Sequence, residues 1–99
     1  MSGPDPGEPE YRQQQASDPY RDIPWLDTLS AEFRGAIPVM DVSIHAYAEN
    51  PSARLVRING RIYREGQQVE EELILEAITE EGMIMEYLGQ RFRMYVVGR

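Results

Sequence analysis

The 99-residue sequence contains no cysteine and no lysine. Without cysteine there are no disulfides, thiolate nucleophiles or zinc–thiolate sites, and the redox compartment stays open. Without lysine no Walker-type phosphate loop exists, and no Gly-x-Gly-x-x-Gly run occurs either. Ten arginines against 17 carboxylates leave a net charge of −7. Phosphate backbones and anionic lipid surfaces repel such a domain, so nucleic acid is not an expected partner. No run of about 18 apolar residues is present to cross a bilayer as a helix. Met1 to Glu10 also lacks the basic and apolar regions of a signal peptide, so any export or anchoring signal is expected outside this stretch.

His45 is the single histidine, so any Ser–His–Asp chemistry would have to run through it. Strand alternation puts Ser43 and Tyr47 on its side, but residues two apart on a strand lie about 7 Å apart, too far for a nucleophile–base hydrogen bond. His45 therefore reads as a structural or interface residue, and no catalytic residue is expected. One imidazole and no Asp-x-Asp-x-Asp-Gly loop leave no metal site, and the run Glu70-Glu71-Glu72 points alternately to opposite faces of an extended chain. No cofactor is expected.

Five of the seven prolines fall within residues 1–24, where the only large apolar residues are Tyr11, Tyr20 and Ile23. Such composition cannot bury enough surface to offset chain entropy. Residues 1–22 read as a disordered, Pro-rich linker and 23–99 as one small domain. The domain begins at Ile23-Pro24-Trp25-Leu26. Ser30 is a helix N-cap with Glu32 in the first turn, which predicts a short helix over 31–36 ended by Gly35 and Pro38. Leu29, Phe33, Ala36 and Ile37 form its core-facing side.

From Val39 the apolar period becomes two. Met40, Val42, Ile44, Ala46 and Ala48 alternate with Asp41, Ser43, His45 and Tyr47, which predicts a strand with Ile44 inward and His45 on the polar face. Leu55–Ile58 and Arg61–Arg64 flank Asn59-Gly60, a strong type I′ hairpin signal. Strands then follow over Leu73–Thr79, Met83–Leu88 and Arg91–Val97. The fold class is mainly β: a small antiparallel sheet, partial barrel or sandwich of five to six short strands after one short helix.

Arg54, Arg57, Arg61 and Arg64 gather on the Asn59-Gly60 hairpin. Pairing with Glu65, Glu76 and Glu86 or a partner-protein surface are the two uses expected of the arginines. Trp25 is expected to plug the core and staple the N-terminal segment over the sheet. Were Trp25, Tyr47, Tyr63 and Tyr95 exposed and coplanar, a peptidoglycan- or carbohydrate-binding domain would be the alternative.

Ile23-Pro24-Trp25-Leu26, the strand Ser43-Ile44-His45-Ala46-Tyr47, the run Arg57 to Gly66 and the ending Leu88-Gly89-Gln90-Arg91-Phe92-Arg93, in this order and spacing, resemble one family. It is the C-terminal periplasmic domain of the type II secretion system assembly protein B. The resemblance implies a periplasmic module anchored to the bacterial inner membrane through a transmembrane helix absent from this chain. It also implies secretin periplasmic N-domains and the A-type ATPase, a peptidoglycan-binding protein, as partners. No catalytic residue comes with it. Ala46 and Ala48 are smaller than the family pattern leads one to expect. The partner-binding surface is expected along Val42, Ser43, Ile44, His45 and Tyr47, an open sheet edge, with Arg57 and Arg61 of the hairpin as the second choice.

Overall fold

A computed structural model of the chain describes residues 19–96. The linker expected over residues 1–22 lies largely outside them. Helix α1 spans Ala31–Ala36, and the Ser30 hydroxyl accepts from the Phe33 N–H at 3.1 Å, the cap anticipated above. Leu29, Phe33 and Ile37 pack against the core, but Ala36 is exposed rather than buried. By spacing Ala36 lies on the face of Phe33, but it is the last residue of the helix, and the contact with the core beyond Phe33 is made by Ile37 at the C-cap.

Seven strands follow, one or two more than expected: β1 (Val42–Ala46), β2 (Leu55–Ile58), β3 (Arg61–Tyr63), β4 (Gln68–Glu70), β5 (Leu73–Ile78), β6 (Gly82–Tyr87) and β7 (Gln90–Tyr95). They form two antiparallel sheets, ordered β1-β2-β3 and β4-β5-β6-β7, with no closed barrel among the described residues. The additional strand is β4, whose polar sequence Gln68-Val69-Glu70 carries little strand signal of its own. Two-residue turns in left-handed backbone join β2 to β3 and β6 to β7, the second made by Leu88 (φ 52°) and Gly89 (φ 83°). Asn59 (φ 52°) and Gly60 (φ 84°) both take the positive angles of a type I′ hairpin. Asn59 does more than turn the chain. Its side chain accepts from the Asp41 N–H at 2.8 Å and donates to the Val39 carbonyl at 2.9 Å, tying the approach to β1 onto the hairpin.

The sheets enclose one core. Val56 and Ile58 of the first meet Leu73, Leu75, Ile78, Met83, Met85 and Phe92 of the second, all fully or almost fully buried. Burying a side chain of this kind contributes about 1.5–3 kcal/mol, so this cluster dominates the folding free energy. The four-stranded sheet is covered on both faces at one end. A bulge between Leu75 and Ala77 switches the phase, so Ile78 faces the main core while Ala77 faces a second cluster with Ile84, Ile23 and Tyr20. That is why Met83, Ile84 and Met85 are buried consecutively and not alternately.

Candidate interaction surface

Position 43 decides what the first sheet presents. Val42 pairs with Ile58 and Ile44 with Arg57, so two residues of β1, Ser43 and Ile44, stand opposite one of β2. Such a bulge inverts the alternation beyond it. Two expectations are corrected here. Ile44, assigned to the buried face, is 40% exposed beside Arg57, and His45, assigned to the polar face, turns toward the second sheet beside fully buried Val56.

His45 Nε2 lies 2.8 Å from the Gly82 carbonyl at the start of β6. A carbonyl oxygen only accepts, so Nε2 carries the proton and the imidazole tethers one sheet to the other. No hydrogen bond joins it to Ser43 or Tyr47 among the described residues. The ring is thus committed structurally and holds the geometry of no nucleophile.

Arg54 makes a second tether. Its guanidinium donates to the Ala48 carbonyl at 2.6 Å, the Glu49 carbonyl at 3.1 Å, the Tyr47 hydroxyl at 3.2 Å and Glu65 Oε2 at 3.1 Å, and it lies 4.5 Å from the centre of the Tyr47 ring. The same Glu65 oxygen accepts from the Ile78 N–H at 2.7 Å, just past the β5 bulge. Pairing with Glu65 is the use foreseen for the arginines, and Arg91 likewise pairs with Glu76. Arg57 and Arg61 differ. Both are exposed, and neither guanidinium has a hydrogen bond or ion pair among the described residues.

β1 has a strand neighbour on one side only, so its other edge offers unpaired backbone groups. The far edge of the second sheet is treated otherwise. Ile23-Pro24-Trp25 lies along β7, with the Arg93 N–H donating to the Pro24 carbonyl at 2.8 Å and a parallel bridge between Trp25 and Arg93.

Trp25 does not enter the core as expected. It is half-buried, stacks on Tyr95 at 4.3 Å with ring planes 12° apart, and carries the Arg93 guanidinium 4.3 Å from its ring. The staple is real, but it is made at a sheet edge. Sequence reasoning missed this triad because residues 70 apart in the chain form it. A cleft of about 430 Å³ opens beside it, with Tyr20, Trp25 and Tyr47 among its walls. Tyr63 stands apart, its hydroxyl 3.4 Å from the Val69 carbonyl. Burial raises the Tyr20 phenol above its ordinary value, with the Glu65 and Glu76 charges adding to the effect.

Among the described residues no cluster of metal-binding side chains occurs, and no helix is long and apolar enough to cross a membrane. The chain is 32% identical over 65 residues to the General secretion pathway protein B of Aeromonas hydrophila, covering 66% of this chain and 29% of that protein. It is 34% identical over 58 residues to the General secretion pathway protein B of Dickeya dadantii (strain 3937), covering 59% of this chain and 26% of that protein. The matched stretch therefore spans between a quarter and a third of these curated relatives. No solved structure matches. Residues 37–96, which run from the end of α1 through β7, match the family described as Type II secretion system protein B, and the chain belongs to that family.

Proposed function

We propose that this domain is a non-enzymatic, periplasmic protein-interaction module of the type II secretion system that assists assembly or positioning of the outer-membrane secretin. The observation that carries the reading is the open edge of β1, which a partner strand can extend while β7 is closed by the chain's own Ile23–Trp25 segment. Val42, Ser43, Ile44, His45 and Tyr47 line that edge, and Arg57 and Arg61 stand beside it on the hairpin. His45 and Arg54 hold the edge strand firmly on the second sheet, so little conformational entropy is lost on docking.

In the full-length protein, this reading places the domain in the periplasm and anchors it to the inner membrane through a segment beyond this chain. Tethering raises the effective concentration of a small interface, which suits a domain of this size. The secretin periplasmic N-domains are the proposed partner at the edge, with the A-type, peptidoglycan-binding ATPase as the second component engaged.

The test is an NMR titration of the labelled chain with secretin periplasmic N-domains, followed by a muropeptide. The expected result is amide shifts confined to residues 42–47 and the adjoining hairpin. Silence with secretin combined with shifts at Tyr20, Trp25 and Tyr47 on adding muropeptide would replace the reading with a wall-binding one.

A further inference from the structure

We infer that the outer face of the β1-β2-β3 sheet docks an acidic amphipathic helix of a protein partner. Val56 and Ile58 of β2 are fully buried, so Leu55 and Arg57 between them point the other way, out from the core. Register places Ile44 and Ile62 on either side of Arg57, and Ala46 beside Leu55. Ile44 is 40% and Ile62 49% exposed, and none of these five side chains belongs to either core cluster. The face has no carboxylate, although the chain has a net charge of −7.

The Arg57 guanidinium has no hydrogen bond or ion pair among the described residues, and in register the residue lies between two isoleucines. A guanidinium flanked by aliphatic carbon binds a carboxylate bidentately in a partly dry site. One such cation on an acidic domain is too little for a polyanion, which the remaining charge repels. A protein segment carrying a carboxylate between apolar side chains fits both features.

The spacing favours a helix. Adjacent strands lie about 4.8 Å apart, so Ile44 and Ile62 are about 10 Å apart across β2. Residues i and i+7 of a helix are separated by about 10.5 Å, with i+3 and i+4 between them on the same stripe. Apolar residues at i and i+7 would cover the two isoleucines, and Asp or Glu at i+3 or i+4 would meet Arg57.

The inference rests on the domain being a protein-interaction module, and it is tested without secretin. The probes are two synthetic helical peptides, with Leu at i and i+7 and either Glu or Lys at i+3 and i+4, titrated into the labelled 99-residue chain. The Glu peptide is expected to shift the amides of Ile44, Arg57 and Ile62. Arg57→Glu, an exposed change checked for an unaltered spectrum, should weaken it at least tenfold and take up the Lys peptide instead. Equal binding of both peptides, no binding, or shifts only along the free β1 edge would overturn the inference. Peptide binding without secretin binding would instead overturn the proposed function.

Discussion

Glu65 stands where the two sheets are joined, and its removal gives the sharpest test of that joint. One carboxylate oxygen accepts both from Arg54 Nη1 at 3.1 Å and from the Ile78 N–H at 2.7 Å, and the side chains of the ion pair are only 15% and 22% exposed. Hydrogen bonds to charged groups contribute about 1.5–3 kcal/mol each. Arg54 keeps its bonds to Ala48, Glu49 and Tyr47, so its loss is partial. The Ile78 N–H keeps no other partner among the described residues: Ile78 sits opposite Met83, but it is the next N–H, that of Thr79, which donates across to Gly82, so the Ile78 N–H faces away from β6. Glu65→Ala should therefore cost about 2–3 kcal/mol, a large part of the several kcal/mol that hold a domain of this size together. Glu65→Gln retains an oxygen for Ile78 and gives up the charge, so about 1 kcal/mol is expected. Urea unfolding followed by circular dichroism measures both. At about 4–8 °C per kcal/mol, Glu65→Ala should also melt at least 8 °C lower. A Glu65→Ala protein within 0.5 kcal/mol of the parent, or a Gln variant as weak as the Ala, would refute the bridge.

Three further outcomes follow from single positions. An added Cβ at Gly82 would lie 1.8 Å from the Met94 carbonyl oxygen, so Gly82→Ala must push β7 off β6 and should cost about 3–5 kcal/mol in the same unfolding assay. Leu88 is 60% exposed at φ 52°, a left-handed angle that Asn tolerates better, so Leu88→Asn should raise stability by about 1 kcal/mol, read as a higher midpoint. Burial raises the Tyr20 phenol, so folding favours its neutral form: the stability is fully present below the ordinary value of about 10 and is lost as pH rises through the folded value. Denaturant midpoints between pH 8 and 11 should fall less steeply in Tyr20→Phe than in the parent.

The sequence made some of this fold readable because the signals were local. Ser30 reveals α1 through a cap that needs three residues, and Asn59-Gly60 reveals a hairpin through two. The strands β5 and β6 are strong apolar runs, and β7 alternates Phe92 and Met94 with arginines. What stayed hidden depends on distant partners. The phase of β1 turns on Ser43 being left over against Arg57, which no periodicity within β1 records. Trp25 looked like a core residue, because its stacking partners Tyr95 and Arg93 are brought to it only by β7. The candidate surface shares both histories: the edge strand is legible in the sequence, but which of its side chains point outward is inverted.

That inversion raises the question of what Ser43 is for. Its deletion would join Val42 to Ile44 and leave the four residue pairs of β1 and β2 in place: Val42 with Ile58, Ile44 with Arg57, His45 with Val56 and Ala46 with Leu55. The inward and outward faces would be unchanged, and so would the His45 tether to Gly82. The fold therefore does not depend on the bulge. A bulged edge, however, bends and twists away from a second strand, which is a recurrent protection against edge-to-edge association. It confines regular pairing to Ile44–Ala46, three residues, enough for a tethered partner and too few for unguided self-association. Deleting Ser43 should leave the circular dichroism spectrum unchanged while lengthening the straight edge to Val42–Ala46. Light scattering or sedimentation should then show concentration-dependent association that the parent lacks. A deletion variant that stays monomeric at millimolar concentration would show that the bulge does not guard the edge, and one that loses its fold would show that Ser43 holds the strand in register.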